Sequence, residues 1–136
     1  MKFNVRFWQA TVTAWAVASI VLYLFHYPIL SSFWSDLVSQ GVIRADFNSI
    51  STNALFGVGL FAGVYIMCEF LEKLARTGRK KALKYGAMFG LLVGLTEAGQ
   101  ALLYHVPYSL GIAYGIADIA AFAMAAVVYQ QFDSGK

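Results

Sequence analysis

A long uncharged stretch near the start of the chain is its most constraining feature. From Phe7 to Ser35 the sequence contains no Asp, Glu, Lys or Arg. This exceeds the roughly 20 apolar residues that cross the hydrocarbon core of a bilayer as a helix. The stretch is also longer than the apolar region of a secretory signal peptide, and no small-residue cleavage site follows it. We therefore expect residues 7–28 to form a retained transmembrane helix.

The composition of the whole chain agrees with a membrane protein. Hydrophobic residues make up 60% of the sequence and charged residues 12%, about half of the roughly 25% charged fraction of soluble domains. Three more segments predict transmembrane helices, at residues 53–75, 85–105 and 108–130. The sequence thus predicts an all-α integral membrane protein, an up-down bundle of four transmembrane helices that forms a single domain over residues 1–136.

The connection between the first two predicted spans contains a short amphipathic pattern. From Phe33 to Val38, apolar residues recur at helical spacing beside serines and an aspartate. This pattern predicts a helix over about residues 32–40 that lies at the outer membrane interface, with Trp34 at the level of the headgroups. Gly41 is expected to end that helix.

Basic residues are distributed unevenly over the predicted topology. One side carries nine of the ten: Lys2, Arg6, Lys73, Arg76, Arg79, Lys80, Lys81, Lys84 and Lys136. The other side carries Arg44. The positive-inside rule therefore predicts that both termini and the 76–84 loop are cytoplasmic, and the plasma (inner) membrane is the expected location.

The basic loop also suggests a contact with lipid. Arg76, Arg79, Lys80, Lys81 and Lys84 are expected to attract anionic headgroups, at about 1 kcal/mol for each basic residue near the surface. The cluster is short and adjoins a predicted span, so we expect no binding of nucleic acid.

Glycines spaced by four recur in the last three predicted spans. They are Gly59 and Gly63, then Gly86, Gly90 and Gly94, then Gly111 and Gly115. Small residues at this spacing let helix backbones approach closely in a membrane. The pattern favours packing inside one bundle, although glycine spacing alone does not separate this from an interface in a homo-oligomer or with another membrane protein.

Two carboxylic acids lie inside the predicted spans. Glu97 comes ten residues before Pro107, and Asp118 eleven residues after it. At 1.5 Å per residue, each lies roughly 15 Å below the connecting turn, near the middle of the hydrocarbon core. Helices joined by a tight turn pack as antiparallel neighbours, so the two side chains are predicted to share one level. Because two carboxylates in a low dielectric cannot both ionise at low cost, we expect a shared proton or a bound cation there.

Other polar side chains extend this site. Gln100 and Tyr104 lie on the same helix face as Glu97, and Tyr114 precedes Asp118 by about one turn. Together the five residues form what we call the midplane seam: Glu97, Gln100, Tyr104, Tyr114 and Asp118. An acid inside a membrane indicates a functional site by default. The same residues also fit a structural role, in which neutral acids hydrogen-bonded to their neighbours hold the helices together.

Both histidines occupy one local pattern, Leu-aromatic-His-x-Pro, at the ends of the first and third predicted helices. His26 and His105 are therefore expected at matching depth near the outer surface, where they are candidate ligands for a metal or a haem. However, Pro28 and Pro107 follow two residues later, so each helix is already ending there. No partners that would orient the imidazole rings are evident. We expect no haem and no tightly bound metal.

The sequence contains no recognisable nucleophile, nucleotide-binding or metalloprotease motif. We therefore expect a non-enzymatic protein without a cofactor. The leading hypothesis is a small membrane protein of transport or permeation type, linked to a proton or a cation through the midplane seam. The alternative is an accessory or assembly subunit of a larger membrane complex. A third hypothesis is an outer-face haem or metal protein that uses His26 and His105.

Overall fold

The computed structural model describes residues 4–42, 50–74, 78–103 and 107–133, and within these ranges every regular element is helical. The α-helices are α1 (Val5–Leu24), α2 (Ser31–Ser39), α3 (Ile50–Lys73), α4 (Arg79–Leu103) and α5 (Tyr108–Asp133). The predicted all-α class is confirmed. Each predicted helix has a counterpart whose ends lie within two turns of the expected positions.

Helix α1 begins with a side-chain cap and ends in a wide turn. The Asn4 side chain accepts a hydrogen bond from the backbone N–H of Phe7 at 3.3 Å, which satisfies one of the free donors of the first turn. At the other end the chain continues as a π-helical turn, Phe25–Ile29, which contains Pro28. Because proline lacks an N–H and crowds the carbonyl one turn earlier, it disrupts regular α-helical bonding at this position.

Helix α2 ends as the glycine position predicts. Gly41 adopts a left-handed conformation with φ 68°. The N–H of Gly41 donates to Val38, and the N–H of Val42 donates to Leu37, both at 3.0 Å. These bonds satisfy carbonyls at the end of the helix in a Schellman arrangement, which requires the φ that glycine adopts without strain.

Three of the described helical segments are long and apolar enough to cross a membrane: Val5–Pro28, Ile50–Lys73 and Tyr108–Phe132. They indicate a membrane-associated protein. Helix α4 is not among them: its described part includes the basic residues Arg79, Lys80, Lys81 and Lys84 and the acid Glu97. The fourth predicted span is therefore not confirmed, and the four-span bundle stays a prediction.

Helix α5 is the central helix of the packed structure. Of its most apolar window 44% is buried, against 22% for the windows of α1 and of α3. It packs most extensively on α4, then on α1, and less on α3. The core unites residues from all of these helices: Ala10, Ala14 and Ala18, then Val64, Met67 and Cys68, then Ala82, and finally Ala121, Phe122, Ala125, Ala126 and Tyr129.

The backbones of α4 and α5 approach each other at glycines. A Cβ atom placed on Gly90 would lie 2.6 Å from the Cα of Ile119, and one placed on Gly94 would lie 2.5 Å from the Cα of Gly115. Real side chains do not reach such distances, so only glycine fits at these two positions. The order of these contacts shows that α4 and α5 run antiparallel.

Helix α3 is packed at one end and open at the other. Its second half contributes Val64, Met67 and Cys68 to the core. In its first half, Leu55 is 74% exposed and Phe56 is 68% exposed. The Trp15 indole N–H of α1 donates to the Gly57 carbonyl at 3.2 Å and fastens this half of the helix to the bundle.

Candidate functional site

The close contact of α4 and α5 brings Glu97 and Asp118 together. Gly94 packs on Gly115, so Glu97, one turn further along α4, faces the turn of α5 that precedes Gly115. Side chains on a helix tilt toward its N-terminus. In this antiparallel pair, the two carboxyl groups therefore point toward each other. The two side chains are close enough to interact, and two carboxyl groups this near each other in a buried site favour a shared proton.

Burial makes this acid pair (Glu97 and Asp118) chemically unusual. Asp118 is only 4% exposed, and its Oδ2 atom has no hydrogen-bond partner among the described residues. Glu97 is half-buried. An unpartnered buried oxygen costs free energy that a donor or a positive charge would recover. A proton or a cation at the pair would recover this cost.

Tyr114 extends the site by one helical turn along α5. Its ring is half-buried, and its hydroxyl is a second buried polar atom without a hydrogen-bond partner in the described part of the chain. The phenol also lies near enough to Glu97 to interact with it electrostatically. Of the predicted midplane seam, the structure thus brings Glu97, Tyr114 and Asp118 together. Gln100 belongs to α4, but its side chain, like the whole of Tyr104, lies outside the described residues.

An aromatic cluster that sequence reasoning missed stands beside this site. The rings of His26 and Tyr114 stack with centroids 4.9 Å apart, and those of Trp34 and Tyr114 are 5.4 Å apart. His26 and Trp34 are themselves stacked at 6.2 Å. We call these three residues the ring cluster. The sequence signal was the aromatic content of α2, but the spacing alone does not show that α2 folds back over α5.

The expected pairing of His26 with His105 lies partly outside the described residues. The structure places His26 in the π-helical turn, against Tyr114 and Trp34. His105 is not among the described residues. Within residues 4–42, 50–74, 78–103 and 107–133, no three His, Cys, Asp or Glu side chains are grouped closely enough to hold a metal ion. The expectation of no haem and no bound metal stays a prediction.

Acids at the opposite end of the bundle, near Gly78, make different contacts. The Tyr129 hydroxyl donates to Glu72 at 2.7 Å, and the Tyr65 hydroxyl donates to Glu69 at 3.0 Å. Arg6 donates to the Phe132 carbonyl. The Tyr129–Glu72 bond joins α5 to α3 and the Arg6 bond joins α1 to α5, whereas the Tyr65–Glu69 bond lies within α3. A structural role therefore accounts for Glu72, and Glu69 has a local partner.

The predicted lipid-binding residues lie at the start of α4. Arg79, Lys80, Lys81 and Lys84 are all exposed there, whereas Arg76 lies outside the described residues. The exposed side chains leave their ammonium and guanidinium groups available to anions in the surroundings.

A shallow open groove of about 370 Å³ runs along α1, lined by Val5, Trp8, Gln9, Val12 and Thr13. It contains no charged side chain, so it offers none of the chemistry of the acid pair. We found no protein-family model, curated protein or solved structure that matches the chain. Function is therefore inferred from the geometry of the acid pair and the ring cluster.

Proposed function

We propose that this chain is a small polytopic membrane protein of transport or permeation type, in which the acid pair holds a proton or a small cation. The observation that carries the proposal is the buried Asp118 carboxyl, with one oxygen unpartnered among the described residues and the Glu97 carboxyl beside it. Both acids lie on helices in the apolar part of the chain. A charged side chain inside a membrane costs free energy, so such residues are commonly paired with another group or have a functional role.

We propose further that α4 spans the membrane and completes an up-down bundle of four spans. Its tight antiparallel packing on α5 at Gly90 and Gly94 supports this, because α5 is itself long and apolar enough to cross. In that topology, both termini and the basic start of α4 lie in the cytoplasm. The membrane that the protein spans is then the plasma (inner) membrane. Residues Arg76, Arg79, Lys80, Lys81 and Lys84 would then meet anionic headgroups.

An experiment on the acids tests the transport proposal. The purified chain is placed in liposomes that enclose a pH-sensitive dye, and the flux after a pH or salt jump is recorded for wild type, Glu97→Gln and Asp118→Asn. We expect flux in wild type and a loss of at least ten-fold in both variants. Glu69→Gln is the matched control, because Glu69 is an acid on a spanning helix that contacts Tyr65 instead of the acid pair.

The transport proposal has a clear contrary outcome. If wild type gives the same flux as empty liposomes, or if Glu69→Gln loses as much flux as Asp118→Asn, the acid pair is not a transport site.

A second candidate function is an accessory or assembly subunit of a larger membrane complex. The open half of α3 favours it, since Leu55, Phe56 and Val58 are each more than two-thirds exposed, which leaves an apolar face for another helix or a second copy. This candidate predicts that partners co-purify in a mild detergent and that the isolated chain is inactive. Isolation as a monomer or homo-oligomer with flux of its own would count against it.

A further inference from the structure

The ring cluster forms one boundary of the acid-pair site, because Tyr114 belongs to both. On α5, Tyr114 lies one turn from Asp118. Its ring stacks on His26 from the π-helical turn, and Trp34 from α2 contacts both rings at a tilt to Tyr114. A ligand held at the acid pair therefore lies next to aromatic rings that come from three separate elements of the chain.

The described side chains at this site are few for a metal cation. Ions such as Ca²⁺ and Mg²⁺ take six or more oxygen ligands, which replace or retain their water shell. Here the described part of the chain supplies two carboxyl groups and one phenol, and no third acid, His or Cys joins them. These three groups would replace only a few of the water molecules that surround a metal ion in solution.

The same set suits a protonated amine. An ammonium group needs only a few acceptors, and two buried oxygens, Asp118 Oδ2 and the Tyr114 hydroxyl, have no partner within the described ranges. The faces of aromatic rings attract organic cations, and tryptophan does so most strongly. The carbon skeleton of an amine gains further from leaving water. The acid and the phenol suit the ammonium group of such a ligand, and the aromatic rings suit its carbon skeleton.

We propose that the site binds an organic ammonium ion, with its N–H groups bonded to Asp118 and Tyr114 and its carbon skeleton against Trp34. This inference rests on the proposed ion site at the acid pair and narrows the ligand to a protonated amine. Trp34 is then the residue that determines specificity.

Calorimetry with a charged and a neutral probe of one shape tests the proposal. The full chain in detergent is titrated with benzylammonium chloride and with benzyl alcohol, and empty micelles are titrated as the blank. We expect saturable binding of benzylammonium, and at least ten-fold weaker binding of benzyl alcohol. Asp118→Asn is expected to abolish the preference for the charged probe. Equal affinity for the two probes, or no binding of benzylammonium, would overturn the proposal.

A series of substitutions at Trp34 separates recognition from general packing. For benzylammonium we expect the dissociation constant to rise by roughly 2- to 30-fold in Trp34→Leu and by less in Trp34→Phe, which keeps an aromatic face. Trp15→Phe is the matched control, because Trp15 lies at the contact with Gly57, away from the ring cluster. An unchanged affinity in Trp34→Leu, or an equal loss in Trp15→Phe, would contradict the assignment of Trp34.

The binding and flux experiments fail independently. Binding of benzylammonium without proton or cation flux would retain the ligand class and overturn the transport proposal. Flux that depends on the acid pair, without any binding of benzylammonium, would retain transport and overturn the ligand class.

Discussion

At Asp118 an acidic residue is buried almost completely in the interface of two helices, where an apolar side chain would avoid the cost of dehydration. The Glu97 carboxyl lies beside it, and one Asp118 oxygen is unpartnered among the described residues. Residues that bind or react are commonly less favourable for stability than their replacements. If Asp118 belongs to the proposed ion site, it should therefore reduce stability.

We expect Asp118→Asn to increase the free energy of unfolding by about 1 kcal/mol, because the amide keeps the size of the side chain but needs no proton or cation. Unfolding in mixed micelles of mild detergent and dodecyl sulfate measures the change. Glu69→Gln, at a carboxyl bonded to Tyr65, is expected to leave stability close to that of wild type. Lower stability of Asp118→Asn than of wild type would assign Asp118 a structural role.

Sequence spacing predicted part of this site at the residue scale. The distances of Glu97 and Asp118 from Pro107 predicted that both acids share one level. In the structure Asp118 is level with Gly90, about two turns from Glu97, and the tilt of the two side chains brings the carboxyl groups close enough to interact. The ring cluster could not be predicted in the same way, because a contact of Trp34 with Tyr114 depends on how α2 folds back. Spacing within one helix fixes a face, whereas the direction of a connection depends on tertiary packing.

At the scale of elements, the glycines of α4 and those of α3 have different surroundings. Gly90 and Gly94 lie against the α5 backbone, whereas nothing lies within 4 Å of a Cβ atom placed on Gly59, and one on Gly63 would meet the Phe122 ring at 3.1 Å. A common spacing of four therefore leads to backbone contact in α4 but not in α3.

Alanine substitutions at two glycines measure this difference. We expect Gly94→Ala to lower the free energy of unfolding by roughly 1–3 kcal/mol, because its methyl group would force α4 away from Gly115. Gly59→Ala adds the same group at an open position, so stability should stay equal or rise slightly, since alanine favours helices. Unfolding in mixed micelles provides the comparison. Equal effects of the two substitutions would show that the α4–α5 contact is not tight.

The helices themselves were largely predictable because long apolar segments have few alternatives in a membrane. Which helix lies at the centre of the packing could not be predicted. Hydropathy alone does not distinguish α5, which is central, from α3, which is half open, since both are equally apolar along their windows. The π-helical turn was also missed, although Pro28 was recognised as the end of the first helix.

For the whole molecule, the question is whether α4 crosses the membrane. Its basic first turns and its Glu97 lower its apolar character below that of α1, α3 and α5. Its packing against α5 instead gives it an apolar and glycine-lined partner within the bundle. A helix shielded in this way can cross with polar groups that would be unfavourable against lipid.

Labelling of introduced cysteines decides the topology. In a Cys68→Ala background we expect a membrane-impermeant maleimide to label Asp36→Cys and Tyr108→Cys on intact cells, and Lys80→Cys only after permeabilisation. All three positions are exposed, so access depends on the side of the membrane. If Tyr108→Cys and Lys80→Cys are labelled under the same conditions, α4 does not cross the membrane.

The π-helical turn of five residues, Phe25–Ile29, also sets the angular phase of helix α2 relative to α1. Each residue added to or removed from a helical path turns the remainder by about 100°. Loss of one residue here would rotate α2 about its axis and carry Trp34 off the face of Tyr114, while leaving the composition of the segment almost unchanged. The length of this turn therefore determines which way Trp34 points. We expect the chain to tolerate substitutions in the turn better than deletions.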